Sequence, residues 1–513
     1  MFRMNSADFT RFREASATLR RFAELLARYG VKGSISVHEA LAREMSRHTP
    51  ETVETLKRLG ITVGYIRDVR SPHPTPPEAV LDMDWDEAVR EAFFRDTHET
   101  DPFTGEVDPE KSGGWRTIEE VFGGPSGMSN RTYAIVDSRI IFVASVLYAR
   151  KKLGIRSFVG LDDALGIGSD AFWYMGVAGI PTTVFLHPWF LSRQLPLYRT
   201  MMNEGIVPRI DSSIEALKVL MNYLPDGFNL ITLGLHTSDF FQGRSEEERE
   251  GMWRILEELV AFAARHPLVN VVTTQDILNM IIDDREKKLS MNEISKAVDF
   301  ILRSINWARS GTGRTTEIRL PTGQTRAKTL PDYIDLGDDY LSLADAFQAL
   351  VYSLAYYAER KALPEMVEIK EILGPTATVD EILPHPIPRT YGQLVQGYYK
   401  SMETGFSPVI INGEDIFSAA TSMTSEMADR VPIKVKLPSE GRVMNSAEFL
   451  ILMAQEFYSI RNKGEVAPVI WTPILPLPKQ AERLIPFMRS LYKQEVYSIL
   501  QLWTLKPLRW KTS

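Results

Sequence analysis

The chain contains no cysteine among its 513 residues. This absence excludes disulfide bonds, a thiolate nucleophile and a zinc site with cysteine ligands. The chain also lacks any long run of basic residues, and its formal net charge is −7. Both features argue against nucleic acid as the main partner.

Long hydrophobic runs are missing as well. No stretch approaches the roughly 18 uninterrupted apolar residues that a membrane-spanning helix needs. Residues 1–14 carry arginine, aspartate and asparagine where a signal peptide has an apolar core. The sequence therefore predicts no transmembrane segment and no export signal, although its start at a predicted strand leaves room for a removed leader.

The size and composition of the chain indicate a globular protein with more than one part. Hydrophobic residues make up 44% and charged residues 24%, and 513 residues exceed one typical hydrophobic core. A charged segment at residues 283–288 coincides with a change in the pattern of predicted elements. We therefore predict a first domain at residues 1–283 and a second region at residues 284–513.

In the first domain, a glycine repeatedly separates a helical pattern from a short apolar run. Glycine just past a helix supplies the left-handed backbone that ends it, and a short apolar run is typical of a parallel strand covered on both faces. The five glycines, each followed by valine or isoleucine, are Gly30, Gly60, Gly154, Gly179 and Gly205. With further strands predicted at residues 2–4, 229–235 and 270–274, the pattern predicts an α/β fold, an irregular (β/α) barrel.

Polar side chains follow most of these predicted strands. Because parallel strands end on one face of a barrel, we expect these side chains to gather at a common rim. The predicted rim residues are Asp8, His38, Arg67, Asp162, His187, Asp211 and His236.

Several of these residues have two interpretations. His236 is either a general acid or a rim histidine satisfied by a neighbour such as Asp239. Asp162 and the next aspartate could bind a hard cation or share acid and base roles, yet neighbours on a strand point in opposite directions. His187 precedes a proline and Trp189, so it either faces a cavity with an aromatic floor or is structural.

Residues 71–131 interrupt the alternation of helices and strands. They contain a proline-rich start, a helical pattern around residues 86–94 and a polar stretch at residues 96–114. An insertion after a strand end is predicted to pass over the rim of the barrel. It is either a lid over the site or a solvated insertion without contact to the substrate.

The second region shows short helices separated by extended pieces that begin with proline. Three glycines are each followed five positions later by a serine, which we interpret as a helix N-cap. These serines are Ser342, Ser418 and Ser446. The pattern predicts an α-rich repeat region with short strands, an architecture that more often binds than catalyses.

Two family resemblances follow from local segments. Tyr-Gly-Val-Lys-Gly-Ser-Ile-Ser-Val at residues 29–37, Leu-Gly-Ile-Thr-Val-Gly at residues 59–64 and Val-Val-Thr-Thr-Gln-Asp at residues 271–276 resemble the polysaccharide deacetylase family. This resemblance covers about the first 280 residues. Residues 330–350 and 431–453 resemble pseudomurein-binding repeats, modules associated with archaeal cell walls.

The first resemblance implies metal-assisted amide hydrolysis, in which an Asp-His-His site holds a divalent ion and a late-strand histidine acts as general acid. His236 matches that late-strand histidine. Asn5 and Ser6 stand where the family has two acidic residues, and Arg67 stands at the first position of its histidine pair. A guanidinium cannot ligate a metal. The candidate metal ligands are therefore Asp8 and His73. The family's ligand pattern for a divalent ion is poorly matched by this chain, and we expect no tightly bound zinc.

These observations lead to two functional hypotheses. The first is a carbohydrate-directed hydrolase of the deacetylase type, tethered to a cell wall or surface glycan by the second region. The resemblance implies that such a protein is located at the cell surface or outside the cell. Its predicted catalytic residues are His236, Asp8 and Asp162, and its predicted substrate-binding residues are His187, Trp189, Arg67 and Asp211. The second hypothesis is a non-catalytic glycan-binding or cell-surface scaffold.

Overall fold

The computed structural model describes residues 2–4, 11–67, 80–101, 104–124, 127–130, 133–136, 139–160, 171–181, 184–185, 218, 221, 230–241, 245–305, 330–377, 409–427, 429–439, 441–471, 474–481 and 492–511. Within these residues the protein is a mixed α/β structure. None of the described helices is long and apolar enough to cross a membrane.

The described α-helices are α1 Phe12–Arg28, α2 Glu39–His48, α3 Pro50–Arg58, α4 Trp85–Thr97, α5 Trp115–Phe122, α6 Ala144–Lys152, α7 Glu246–Arg265, α8 Thr274–Met280, α9 Met291–Ser304, α10 Leu343–Arg360, α11 Gly413–Glu426, α12 Ser446–Lys463 and α13 Lys493–Leu500. Two short 3-10 helices lie at Thr237–Phe240 and Gln501–Thr504.

The strands in chain order are β1 Phe2–Met4, β2 Ser34–Val37, β3 Thr62–Ile66, β4 His98–Thr100, β5 Val107–Ser112, β6 Met128–Asn130, β7 Tyr133–Val136, β8 Arg139–Phe142, β9 Ser157–Val159, β10 Phe172–Tyr174, β11 Val177–Ile180, β12 Val184–Phe185, β13 Leu233–His236, β14 Lys287–Ser290, β15 Ile334–Asp335, β16 Tyr340–Leu341, β17 Met366–Ile369, β18 Val409–Ile411, β19 Lys434–Lys436, β20 Val443–Asn445, β21 Val469–Trp471 and β22 Lys506–Pro507.

Ten strands form the main sheet, in the order β12-β13-β1-β2-β3-β6-β9-β11-β10-β22. The pairings from β12 to β11 are parallel, and those of β10 with β11 and with β22 are antiparallel. Among the described strands no pairing joins the two edges, so the predicted barrel stays a prediction.

Helix α1 and strand β2 show how the sequence produces this alternation. One face of α1 is apolar and buried, including Leu19, Phe22 and Leu26. Gly30 follows the helix with a φ of +68°, and the Val31 amide donates to the Leu26 carbonyl at 3.1 Å. This left-handed end turns the chain back along the sheet, as the sequence predicted.

Two predicted strand positions were wrong. Gly179 lies inside β11, the second strand of an antiparallel hairpin with β10, and does not follow a helix. Residues 270–273 form no strand, because Thr273 caps α8 and exchanges hydrogen bonds with Asp276 in a capping box. Gly205 lies outside the described residues.

The last described strand returns to the main sheet. Lys506 and Pro507 of β22 pair with Trp173 and Phe172 of β10. The Lys506 ammonium is buried and donates to Asp345 at the start of α10 at 3.0 Å. The chain beyond residue 284 therefore contributes to the sheet of the first part, and the predicted domain boundary stays a prediction.

The main sheet has two chemically different faces where β2 and β3 lie. Ile35, Val37, Val63 and Tyr65 point to one face, which we call the tyrosine face, and pack in a core with α1, α2, α5 and α7. Because side chains alternate along a strand, Ser34, Ser36 and Gly64 lie on the opposite face, the serine face.

Beyond residue 286 the order strand, helix, hairpin, helix, strand occurs twice. In the first set β14 pairs with β17 around the hairpin β15–β16, and in the second β18 pairs with β21 around β19–β20. Ser342 caps α10, as predicted. Ser418 was wrongly predicted as a cap: it lies inside α11, whose cap is Asn412. Ser446 is the first residue of α12, which Asn445 caps.

Candidate functional site: the carboxyl end of the serine face

The predicted rim is described in part, at the carboxyl ends of β13, β1 and β2. Arg3 of β1 is paired with His236 of β13 on one side and with Ser36 of β2 on the other. Ser36 is in turn paired with Gly64 of β3. The register therefore places His236, the residue predicted as general acid, in the same row as Ser36 on the serine face, with strand β1 between them.

His236 is the most accessible described position of this row. It is half-buried, whereas its neighbours Leu235 and Thr237 are 2% and 0% exposed. Leu235 belongs to the core on the tyrosine face, so alternation places His236 on the serine face. An imidazole at a strand end, half-open to solvent, can exchange a proton with a bound molecule.

His38 follows Ser36 by two positions and serves as the N-cap of α2. Its Nδ1 accepts a hydrogen bond from the Ala40 amide at 3.2 Å. A neutral imidazole that accepts at Nδ1 carries its proton on Nε2. His38 is 4% exposed, so this histidine is built into the wall of the site.

Other parts of the chain cover two positions of the serine face. Ser34 accepts a hydrogen bond from the Thr274 amide at 3.1 Å, at the start of α8. Gly64, the partner of Ser36 in β3, is covered by Met128, which a Cβ at this position would meet. Ser34, Ser36 and Gly64 are all buried, whereas His236 at the carboxyl edge is half-buried.

Arg67 lies on the other side of the sheet. It follows Tyr65 by two positions, and its guanidinium donates to Asp96 at 3.3 Å and to Thr100 at 3.0 Å. It is 5% exposed. Two of its donors are thus used within the protein, and the predicted contact of Arg67 with substrate stays a prediction.

Asp96 is the centre of a buried ion cluster on the tyrosine face. Arg150 of α6 donates to Asp96 at 2.9 Å and to Ser129 at 3.1 Å, and the Tyr65 hydroxyl donates to Asp96 at 2.7 Å. Burial alone would raise the pKa of Asp96, but Arg150 and Arg67 lower it below its usual value. The carboxylate is therefore ionised and held by two arginines.

Glu39 attaches the insertion to the end of β2. Its carboxylate accepts hydrogen bonds from the Thr100 amide at 2.9 Å and from the Gly114 amide. Burial raises the pKa of Glu39, and Arg43, the Gly114 amide and Arg67 partly offset this effect. Gly114 has a φ of +58°, and a Cβ there would lie 2.1 Å from the Asp96 carbonyl oxygen.

The described part of the insertion is thus a fixed cover rather than a free loop. Helix α4 runs from Trp85 to Thr97, longer than the predicted helical pattern, and the polar stretch forms the hairpin β4–β5. Arg67, Arg150 and Glu39 hold this segment on the strand ends. Whether it contacts a substrate stays a prediction.

Loss of the Glu39 carboxylate is expected to release the hairpin β4–β5. In Glu39→Ala, two backbone amides lose a buried charged acceptor, and each such hydrogen bond contributes about 1.5–3 kcal/mol. Hydrogen exchange of residues 98–112 should accelerate at least about tenfold. Glu44→Ala is the matched control, because Glu44 on the same helix pairs with Arg47 and His48 near the surface. Equal exchange in both variants would contradict the role of Glu39.

The remaining predicted site residues lie outside the described residues. They are Asp8, His73, Asp162, His187, Trp189 and Asp211. Their predicted catalytic, binding and metal-ligand roles stay predictions. Within the described parts of the chain, no group of three or more histidine, aspartate or glutamate side chains could hold a metal ion.

Sequence reasoning missed the roles of Asp96, Arg150 and Glu39. Arg150 is 0% exposed at a position of α6 flanked by other charged residues, so no pattern in the sequence marks it as buried. Asp96 falls in a stretch that reads as solvated. The one available signal was Gly113-Gly114, a pair that permits close backbone approach.

Comparisons with known proteins give little further information. No protein-family model and no curated protein matches the chain. The chain is similar to the crystal structure of 4-alpha-glucanotransferase from Thermococcus litoralis, at 10% identity and a TM-score of 0.36, over 60% of this chain and 44% of that one. It is also similar to a structure described as a polysaccharide deacetylase from Mycobacterium smegmatis, at 15% identity and a TM-score of 0.31, over 52% of this chain and 77% of that one. These TM-scores are too low to carry an argument about fold or function.

Proposed function

We propose that the protein is a carbohydrate-directed hydrolase of the deacetylase type, which acts at the carboxyl end of the serine face. The observation that carries the proposal is the position of His236. It ends β13, is half-buried between two buried residues, and lies in register with Ser36 of β2 across the intervening strand β1. Active sites of parallel α/β proteins lie at this edge of the sheet.

In this proposal His236 gives a proton to the leaving amine when an acetamide is cleaved. Ser36 and His38 form the wall beside it. The Nδ1 of His38 accepts a hydrogen bond from the Ala40 amide, so the proton of its neutral imidazole lies on Nε2. The residue that activates water is not assigned from the described part of the chain.

A non-catalytic glycan-binding protein is the second candidate, and one observation favours it. Arg67 occupies the position where the resembled family places a metal-binding histidine, and its guanidinium is used by Asp96 and Thr100. In that case the same face of the sheet would bind a saccharide without cleaving it.

Replacement of His236 is expected to abolish acetate release while leaving the fold intact. General acid catalysis contributes about 10²–10⁴-fold, so His236→Ala should release acetate from an N-acetylated chitin oligosaccharide at least about 100-fold more slowly. The control is His48→Ala, because His48 is an exposed side chain at the end of α2. Its rate should stay within about twofold of the unmodified protein.

The same samples separate the two candidates. Saccharide binding without acetate release in the unmodified protein supports the binding protein. Stoichiometric zinc in protein purified without added metal would refute the expected absence of tightly bound zinc and support the metal-assisted hydrolase. Absence of both binding and acetate release would contradict both candidates.

A further inference from the structure

The repeated elements of the second region are equivalent position by position. A shift of 122 residues places α9 on α11, with the same first and last positions. A shift of 103 residues places the cap Ser342 of α10 on the cap Asn445 of α12. The second shift also places Lys361 on Gly464, the residues with left-handed backbone that end these two helices.

The two sets also share their packing. Helix α9 packs against α12, and the equivalent helix α11 packs against α10. Equivalent buried apolar pairs in α9 and α11 are Ile294 and Ile416, Ala297 and Ala419, and Ile301 and Met423. The protein therefore contains the same crossing of helices twice, with the same kind of core.

One of the two crossings contains a charged cleft. A cavity of about 510 Å³ lies between α9 and α12, and its lining includes Lys296, Asp299, Arg303, Tyr458 and Arg461. Arg461 donates to the two oxygens of Asp299 at 2.7 and 3.3 Å. Its guanidinium carbon lies 5.0 Å from the centre of the Tyr458 ring. Arg461 is thus held rigidly at the wall of the cleft.

The equivalent positions of the other crossing carry neither charge nor aromatic ring. The two shifts place the five lining residues on Ser418, Thr421, Ser425, Ala355 and Ala358. Ser418, Thr421 and Ser425 are exposed, and α11 packs against α10 without charged side chains at these positions. The charged set at α9 and α12 is therefore not required for this kind of crossing.

We propose that the cleft between α9 and α12 binds a small organic anion, either a carboxylate or a phosphate monoester. The cleft is lined by three cationic side chains, Lys296, Arg303 and Arg461, and by two carboxylates, Asp299 and Asp335. Arg461 is paired with Asp299, which leaves Lys296 and Arg303 as the main anion-binding groups. Lys296 and Arg303 are exposed. Guanidinium and ammonium groups bind such anions through charged hydrogen bonds. This site is separate from the serine face and does not depend on the proposed hydrolysis.

The test transfers the residues of one crossing to the other. In the double variant Lys296→Ser and Arg303→Ser, both positions take the residue found at the equivalent position of α11, which suits the same helix. Isothermal titration calorimetry is performed with glucuronate, with inorganic phosphate and with neutral glucose. We expect one or both anions to bind the unmodified full chain, glucose not to bind, and the double variant to lose at least about tenfold in affinity.

Arg360→Ser is the matched control, because Arg360 is an exposed arginine at the end of α10. It should bind the anions as the unmodified protein does. Binding of glucuronate alone or of phosphate alone identifies the source of the anion and supports the site. The proposal is contradicted if neither anion binds. It is also contradicted if the double variant binds the anions equally well and its thermal unfolding is unchanged.

Discussion

Asp96→Ala is expected to lower the free energy of unfolding by about 3–5 kcal/mol, the range found when one member of a buried ion pair is removed. The substitution leaves Arg67 and Arg150 buried, at 5% and 0% exposure, without their shared carboxylate. Urea denaturation followed by tryptophan fluorescence measures the change. If this variant does not fold, Asp96→Asn provides a milder test with the same sign.

The control for this prediction is Asp108→Ala in the same insertion. Asp108 pairs with Lys111 at the surface, and exposed pairs contribute about 0–1 kcal/mol. Because the pKa of Asp96 is lowered in the folded state, its stabilisation is present above the usual aspartate pKa and lost as the pH falls below about 4. Equal destabilisation by both substitutions would show that the cluster does not hold the insertion.

A fall in stability of about 2 kcal/mol between pH 6 and pH 8 is the second expected result. Burial raises the pKa of Glu448 and of Glu456 in α12 to about 7 in each case. The Asn445 amide donates to Glu448 at 2.9 Å and offsets part of this rise, whereas both carboxylate oxygens of Glu456 are buried without a hydrogen-bond partner. An unfolded glutamate titrates near pH 4.3. The fold therefore favours the neutral acids, and the stability they contribute is lost as the pH rises through about 7.

Glu456→Gln separates this effect from other titrations. The amide keeps the shape of the side chain without its ionisation, so the variant should be more stable than the unmodified protein at pH 8. Its stability should also depend less on pH between 6 and 8. Glu465→Gln, at an exposed position after α12, should retain the full dependence. A free energy of unfolding that rises from pH 6 to pH 8 in the unmodified protein would contradict the prediction.

Predictions from the sequence were most accurate where the structure depends on residues that are neighbours in the chain. Gly30 and Gly60 end helices with left-handed backbone before β2 and β3, as predicted. The strand predicted at residues 270–274 was wrong because Thr273 and Asp276 form a capping box, a local signal that competes with an apolar run. The prediction of Ser418 as a helix N-cap was wrong because the repeat was aligned on Gly413, which is itself the first residue of α11.

The ion cluster on the tyrosine face depends on contacts between distant residues, which the sequence does not reveal. Arg67 meets Asp96 across 29 positions of the chain, and Asp96 meets Arg150 across 54. From sequence, an arginine that follows a strand is interpreted as a rim residue. Only the alternation of side chains along β3 shows that Arg67 points to the tyrosine face. His236 could be placed from sequence because a polar residue that ends a parallel strand lies at the carboxyl edge of the sheet.

The position of the functional face is tested most directly by the histidine signals of the protein during saccharide binding. The chain has 8 histidines, so their ring signals in a histidine-labelled sample can be assigned by single substitutions to glutamine. Addition of an N-acetylated chitin oligosaccharide should shift the His236 signal, while the signals of exposed His48 and half-buried His266 stay constant. Shifts confined to His48 or His266, or no shift at a saturating concentration, would contradict a site at the carboxyl end of the serine face.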